Sequence, residues 1–457
     1  MKLLLADPPE MFLQGQGATR QVQPLGLACV GAAVQDLAQV RFLLPDTRAY
    51  VGDDPWQEIA QALIAEQPDV LGITAVTANF AAAAQLAAVA RKVLPELLIV
   101  LGGVHASTDP EGALRGAPAV DLVVRGEGEE TLRQILEHWQ EVPRGSPQRS
   151  QVEWSQVAGV WYRSDGQICA APPRPPLADL DAWPLPLRQG FVWPQDIQPA
   201  FYQALITLRG CPYQCIYCAV PSLDSSRTRY RSVDRVMAEI DQLRQRHQAN
   251  YLFFHDSVFT LHRRRTLELA VRLAALEPKV PFCIQTRADR LDQELLEALI
   301  KAGLHQVFFG VESGDPHSLE RIRKAMPLAV IRDAVQRVRD AGVRCSGFFM
   351  IGWPWDDAES IRRSIDFAVT LPLDAISLFS ATPLPGTELW RISQHQQMPE
   401  SIDFRRPQVN LTALSDAAYA ELYAEASARV DRFNQQRMGE RFVAPAWLQA
   451  VNGPREC

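Results

Sequence analysis

The chain has 457 residues, 47% hydrophobic and 22% charged, with a formal net charge of −7. That length suits two or three domains with ample apolar material for their cores, which excludes a disordered or fibrous chain. The acidic balance argues against a nucleic-acid partner and no Lys/Arg run suggests such a surface, eight cysteines are too few for a disulfide scaffold, and no apolar stretch reaches the roughly 18 residues of a membrane span. A reducing cytoplasm is the expected compartment. The apolar start, Met1 to Ala6, ends in Asp7-Pro8-Pro9 and reads as a first strand rather than a signal peptide.

From 1 to 140, short apolar runs at 2–6, 40–44, 70–75, 98–101 and 122–124 alternate with helical patterns such as 56–66 and 80–93. That alternation predicts an α/β domain with a doubly wound, Rossmann- or flavodoxin-like parallel sheet. Ligands of such sheets lie beyond the carboxyl ends of the strands. The segments there are the small, hydroxylated Thr74-Ala75-Val76-Thr77, the pair Gly102-Gly103, and the loop Gly126-Glu127-Gly128-Glu129. Two adjacent glycines let a ligand approach the backbone. His105 is expected to be a hydrogen-bonded polar residue at a strand end.

The stretch 141–198 is rich in proline and reads as a connector. Within it, two short runs flank Ser164-Asp165-Gly166, a hairpin signal.

From 199 to 395 the alternation returns, with strands expected at 204–208, 251–255, 282–286, 306–311, 344–351 and 375–381. Six β/α units suit a partial (β/α)6 TIM barrel, whose site forms where strands end. The first strand runs into Cys211, Cys215 and Cys218, spaced C-x3-C-x2-C. Three thiolates within eight residues suit an iron–sulfur cluster with one iron left open. A redox pair or half a zinc site are the alternatives for Cys215 and Cys218. Other strand ends carry His255-Asp256, Arg287-Ala288-Asp289, Glu312-Ser313 and the run Gly347 to Gly352. A carboxylate in an apolar strand end, as at Glu312, needs a partner and favours a functional reading. Arg287 and Asp289 are equally suited to pair with each other, His255 and Asp256 to cap the following element, and Phe348, Phe349 and Met350 to fill the core. The small region 396–457 holds a helical stretch at 417–437 and no readable motif.

The segment Arg209-Gly210-Cys211-Pro212-Tyr213-Gln214-Cys215-Ile216-Tyr217-Cys218 resembles the signature of the radical SAM superfamily. The resemblance implies that the three cysteines are catalytic and hold a [4Fe-4S] cluster, whose open iron takes S-adenosylmethionine (SAM). It places Tyr217 near the adenine, Arg287, Glu312 and Ser313 at the methionine part and ribose, and the Gly347 to Gly352 strand beside the adenine. Residues 1–140 resemble the cobalamin-binding domain found upstream of many such barrels, with Thr74, Val76, Thr77, Gly102 and Gly103 lining the slot for the nucleotide tail. No Asp-x-His-x-x-Gly motif is present, so the lower face of cobalt is unassigned. A Rossmann-like domain without cobalamin is the alternative. The implied activity is reductive cleavage of SAM to a 5′-deoxyadenosyl radical and methylation of an unactivated carbon, or phosphorus, of a small molecule. A flavodoxin or ferredoxin is the implied reductant. In the same family the C-terminal part often closes the barrel mouth and selects the substrate. An oxidative cyclase or oxygenase of the porphyrin-cyclase type and a non-catalytic cofactor-binding protein are the other readings.

Overall fold

The computed structural model describes residues 1–9, 22–47, 55–141, 152–224, 227–393, 399 and 402–441. The start of the proline-rich connector and the ends of the C-terminal region lie outside these.

The first sheet holds β1 (Lys2–Ala6), β2 (Gln39–Leu43), β3 (Val70–Thr74), β4 (Leu98–Gly102), β5 (Leu122–Val124), β6 (Val160–Ser164) and β7 (Gln167–Ala170). Its order is β2-β1-β3-β4-β5-β6-β7, with the first five strands parallel. Order reverses between β1 and β3, the switch point of a doubly wound sheet. Alternate side chains feed two separate cores: Leu3, Leu5, Val70 and Val100 pack on one face, and Leu4, Leu71, Ile99 and Leu101 on the other. Helices cover both faces, which is why these strands read as continuous apolar runs. The predicted hairpin forms, with Asp165 at φ 50° and Gly166 at φ 76°, as a tight turn of this kind requires. It joins the first sheet, β6 pairing antiparallel with β5.

The second sheet is parallel, in order β8 (Ala204–Leu205), β11 (Leu252–Phe254), β12 (Phe282–Thr286), β13 (Leu304–Glu312), β14 (Arg344–Ile351) and β15 (Ala375–Ser380). It forms the open six-stranded barrel. A short antiparallel pair, β9 (Leu208–Arg209) and β10 (Arg229–Tyr230), stands beside it. The expected strand 204–208 is broken, and Asp256 is the reason. Its carboxylate accepts from the Thr207 and Leu208 N–H groups at 2.7 and 2.9 Å and from the Thr207 hydroxyl at 2.8 Å. These groups are thereby drawn out of the ladder. Asp256 thus shapes the segment before the cysteines instead of capping the following element.

The connector ties the two sheets together. Buried Arg188 donates to Glu239 at 2.5 Å, to Gln23 at 3.1 Å and to the Ala204 carbonyl at 2.9 Å. An uncompensated charge here is costly, because breaking a buried pair costs about 3–5 kcal/mol.

The helix Asp416–Arg441 lies in the outer layer, on β15 and the helix Ala358–Thr370, where Tyr419, Tyr423, Ala426 and Val430 are buried. The Asn434 amide both donates to and accepts from Ile376 of β15, at 2.9 and 2.8 Å. This satisfies main-chain groups on an edge strand that would otherwise invite pairing. Gly352 lets the helix approach. Its φ is 89°, and a Cβ there would lie 2.0 Å from Tyr419 Oη. Gly352→Ala is expected to lower stability by about 2–5 kcal/mol through left-handed strain and overpacking, read as a fall in the urea midpoint. Among the described residues no helix is long and apolar enough to cross a membrane.

Candidate active site

The cysteine loop is held by its backbone. Gly210 has φ 84°, and a Cβ there would lie 2.6 Å from the Arg227 carbonyl. The Ile216 N–H donates to the Ile322 carbonyl at 3.2 Å, and the Ile216 carbonyl accepts from the Leu389 N–H at 2.8 Å. Cys211 is buried, and Cys215 and Cys218 are partly so. Burial pushes the Cys218 thiol up to about 11 and raises Cys215, whose rise Lys324 and Arg287 oppose. Among the described residues no three His, Cys, Asp or Glu side chains close around a single ion. The three thiols nonetheless stand near enough to influence one another's ionisation. Thiolates disfavoured by burial need a positive counter-charge, and soft sulfur ligands in a set of three fit an iron–sulfur cluster.

Charged groups gather at the neighbouring strand ends. Glu312 ends β13 at φ 74°, where the pairing with β14 shifts register. A non-glycine residue in this conformation is strained, and such strain collects at functional sites. Its carboxylate accepts from Lys324 Nζ at 3.0 Å, both groups being buried. Gly310 makes the room, since a Cβ there would lie 2.6 Å from Glu312 Oε1 and 2.8 Å from Lys324 Nζ. Burial and then the Glu312 charge hold the Tyr217 phenol far above its ordinary range. Tyr217 meets the buried Trp353 at 5.5 Å between ring centroids.

Arg287 pairs with Asp289 at 2.9 and 3.0 Å and donates to the Lys324 carbonyl at 3.1 Å. Its guanidinium lies over the Tyr213 ring, 3.9 Å from the centroid. Its Nη1 is buried without a partner among the described residues. Such an orphaned donor asks for a ligand. Ser313 is occupied: its hydroxyl meets Ser364 Oγ at 2.9 Å and accepts from the Asp315 N–H at 3.0 Å. At Gly347 a Cβ would face Leu373 at 2.9 Å, on the helix side of the sheet. Phe349 packs in the same core, whereas Phe348 and Met350 alternate with it and are half-buried.

His255 lies against Phe253, 3.9 Å between centroids, and burial brings its pKa down to about 4. An unfolded chain takes up this proton near pH 6.5 and the folded one only near 4, so the contribution is lost as pH falls between them. From pH 7 to 4.5 His255 is expected to cost about 2–3 kcal/mol. His255→Phe should flatten that part of the pH dependence in urea melts.

A cavity of about 350 Å3 opens at the carboxyl ends of β3, β4 and β5. Thr74, Gly102 and Gly103 stand on its wall, together with the apolar Leu5, Val100 and Leu132. Val76 is exposed and is not among the lining residues, and the Thr77 hydroxyl is bonded to His105 Nδ1 at 3.2 Å. Buried His105 is thus held as a structural polar residue. Ile206, Arg209 and Arg231 of the second domain close the cavity.

The shared wall is what the sequence reading missed. Arg209, two residues before Cys211, donates to Glu127 at 2.9 Å and to Glu129 at 2.5 Å. Glu127 also accepts from Arg229 at 2.7 Å and from the Leu177 N–H at 2.6 Å. Burial alone would raise the Glu127 carboxyl, but Arg229 and Arg209 carry it below its usual range. The Gly-Glu-Gly-Glu and Arg-Gly-Cys runs were visible, and their pairing was not. One charge network therefore joins the cavity rim to the root of the cysteine loop.

Residues 205–368 match the radical SAM superfamily, and residues 18–136 match the B12 binding domain. The chain is 29% identical over 409 residues to an uncharacterized methyltransferase of Pyrococcus horikoshii, covering 89% of this chain and 86% of that one. It is 27% identical to the anaerobic magnesium-protoporphyrin IX monomethyl ester cyclase of Rubrivivax gelatinosus, covering 75% of this chain and 61% of the cyclase. The fold is similar to that of the radical S-adenosylmethionine methyltransferase TsrM of Kitasatospora setae, solved with cobalamin and a [4Fe-4S] cluster, at TM-score 0.69, 16% identity, and coverage of 86% of this chain and 75% of that one. The thiol loop at the end of the first barrel strand lies in the part of the chain that matches the radical SAM superfamily, and the cavity at the switch point of the first sheet is lined mainly by the part that matches the B12 binding domain, so the chain carries a B12-binding domain ahead of a radical SAM domain.

Proposed function

We propose that this protein is a cobalamin-dependent radical SAM methyltransferase acting on a small molecule. The observation that carries the reading is the shared wall, where Arg209 touches the cavity on one side and leads into the cysteine loop on the other. When bound, the cluster and SAM supply a 5′-deoxyadenosyl radical, and cobalamin supplies the methyl carrier. Cys211, Cys215 and Cys218 would hold the cluster. The orphaned Nη1 of Arg287 suits a carboxylate, and Glu312, balanced by Lys324, suits an ammonium. These are the two charged groups of the methionine part of SAM. Tyr217, Gly347 and Gly352 would border the nucleoside, with Ser313 holding its strand end in place. Thr74, Gly102 and Gly103 would face the corrin's nucleotide tail, with Val76 and Thr77 shaping the loop behind them. The buried Trp353 and Phe349 behind this site keep water from its floor. A flavodoxin or ferredoxin would supply the electron, and the free thiols suit a reducing compartment, the cytoplasm.

The test needs no substrate. The reduced, cobalamin-loaded protein is incubated with methyl-deuterated SAM, and the extracted cobalamin is analysed by mass spectrometry. Deuterated methylcobalamin together with 5′-deoxyadenosine supports methyl transfer. 5′-Deoxyadenosine with unlabelled cobalamin points to cyclisation or oxygenation. Neither product would leave a cofactor-binding protein without turnover.

A further inference from the structure

The inner face of the second sheet carries an aromatic row. Phe253 of β11, Phe308 of β13, Phe348 of β14 and Phe379 of β15 follow one another at 5.9, 5.8 and 6.2 Å between ring centroids. Rings at such spacings attract one another. Phe308 and Phe348 lie 9° from parallel. Phe253 and Phe308 are buried, but Phe348 and Phe379 are only half-buried, so the row is open at its β15 end. Phe348 is paired in register with Gly310, and the space beside Gly310 holds Glu312 Oε1 and Lys324 Nζ. The row therefore runs up to the carboxylate proposed to hold SAM.

Polar groups stand on the same face without partners. Strand alternation puts His255 on the side of Phe253, and Gln285 on the side of Cys283, which packs with Phe253 and Phe308. The His255 ring lies on Phe253, and its buried Nε2 has no partner among the described residues. The Gln285 amide has none there either. One level deeper, Gln306 is fully buried. Its Nε2 donates to Ser346 Oγ at 3.0 Å and its Oε1 is left over. Among the described residues, the inner positions of β11 to β15 carry charge only at Arg344, the first residue of β14, and at Glu312, which Lys324 balances.

A buried aromatic row is ordinary core. This one has two unsealed rings and three polar groups without partners beside it, which a packed core does not leave.

We propose that this face recognises the substrate, and that the substrate is a flat, uncharged ring system. Its plane stacks on Phe348 and Phe379, and a polar edge carrying a donor and an acceptor pairs with Gln285 and His255. A primary amide and a neutral imidazole each offer both kinds of group, and burial keeps His255 neutral. An ionised substrate would find no free counter-charge on this wall. The proposal rests on the reading that the barrel holds SAM beside Glu312.

The experiment uses the reconstituted, SAM-loaded full chain and equilibrium dialysis. The probes are carbostyril (a flat bicyclic lactam), its fully hydrogenated analogue, naphthalene and naphthoate. Carbostyril should bind about tenfold or more tightly than the hydrogenated lactam or naphthoate. Phe348→Leu and Phe379→Leu, made singly, should each weaken carbostyril by about two- to tenfold and leave the hydrogenated lactam unchanged. Gln285→Leu should weaken carbostyril by about two- to tenfold and leave naphthalene unchanged. Variants that lower all probes alike, or a hydrogenated lactam or naphthoate bound as tightly as carbostyril, would overturn the substrate class. The reduced wild-type chain is assayed in parallel for 5′-deoxyadenosine without any probe. Its formation beside failed ring selectivity would remove the substrate class alone, and its absence would overturn the radical SAM reading and the substrate class with it.

Discussion

Alanine at Cys211, Cys215 or Cys218 is expected to abolish SAM cleavage and cluster assembly while leaving cobalamin retention intact. The loop does not depend on its thiols for its path. Gly210 turns beneath Arg227, and Ile216 is tied on both sides to Ile322 and Leu389. Losing a sulfur therefore removes a ligand and little packing, even at the buried Cys211. The cavity is lined by other residues, with Arg209 the nearest contributor to the loop. Iron content, the visible spectrum and 5′-deoxyadenosine yield, measured beside corrin retention, separate the two sites. A Cys218→Ala protein that kept a full cluster and cleaved SAM would show that the donor set has been misassigned.

The second large effect concerns the cavity. Gly102 lines it, and a Cβ added there meets nothing within 4 Å. Gly102→Leu should thus project side chain into the cavity without disturbing its neighbours. Gly103 would be a poor choice, since its φ is 95° and a Cβ would lie 2.6 Å from Thr74 Oγ1. Overpacking of about 1–3 kcal/mol against the ligand weakens cobalamin binding by roughly 5- to 150-fold. Thermal stability and SAM cleavage should stay near wild type. Full corrin retention by this variant would place the cobalamin tail somewhere other than this cavity.

Most of the architecture was readable because it is local. The five parallel strands of the first sheet are short apolar runs between helical patterns, and Asp165-Gly166 is a turn signal in its own right. What could not be read depends on side chains meeting across long separations. Asp256 meets Thr207 and Leu208 over separations of 49 and 48 residues, which no period in 204–208 announces. The helix pattern at 417–437 was visible, but its seat on β15 depends on the fit of Tyr419 over Gly352 and of Asn434 against Ile376.

The site divides in the same way. The three cysteines sit within eight residues, and Glu312 stands out as a carboxylate in an apolar strand. Lys324, its partner, follows a helix and an irregular turn in which Arg323 and Ala325 both have positive φ. Nothing in the sequence marks that turn. Glu127 and Glu129 meet Arg209 over separations of 82 and 80 residues, and Glu127 meets Arg229 over 102. Such partners are chosen by the docking of one domain on another, so the charge network between the cavity rim and the cysteine loop becomes legible only in three dimensions.

One preparation of the protein tests for both cofactors at once. The protein is purified anaerobically, reconstituted with iron, sulfide and hydroxocobalamin, and desalted, and its bound iron and corrin are then determined. We expect an absorbing cluster and one retained corrin in the same wild-type chain, the cluster alone being lost from Cys211→Ala and the corrin alone from Gly102→Leu. A chain that keeps its cluster but releases all corrin on desalting would contradict cobalamin-dependent methyl transfer.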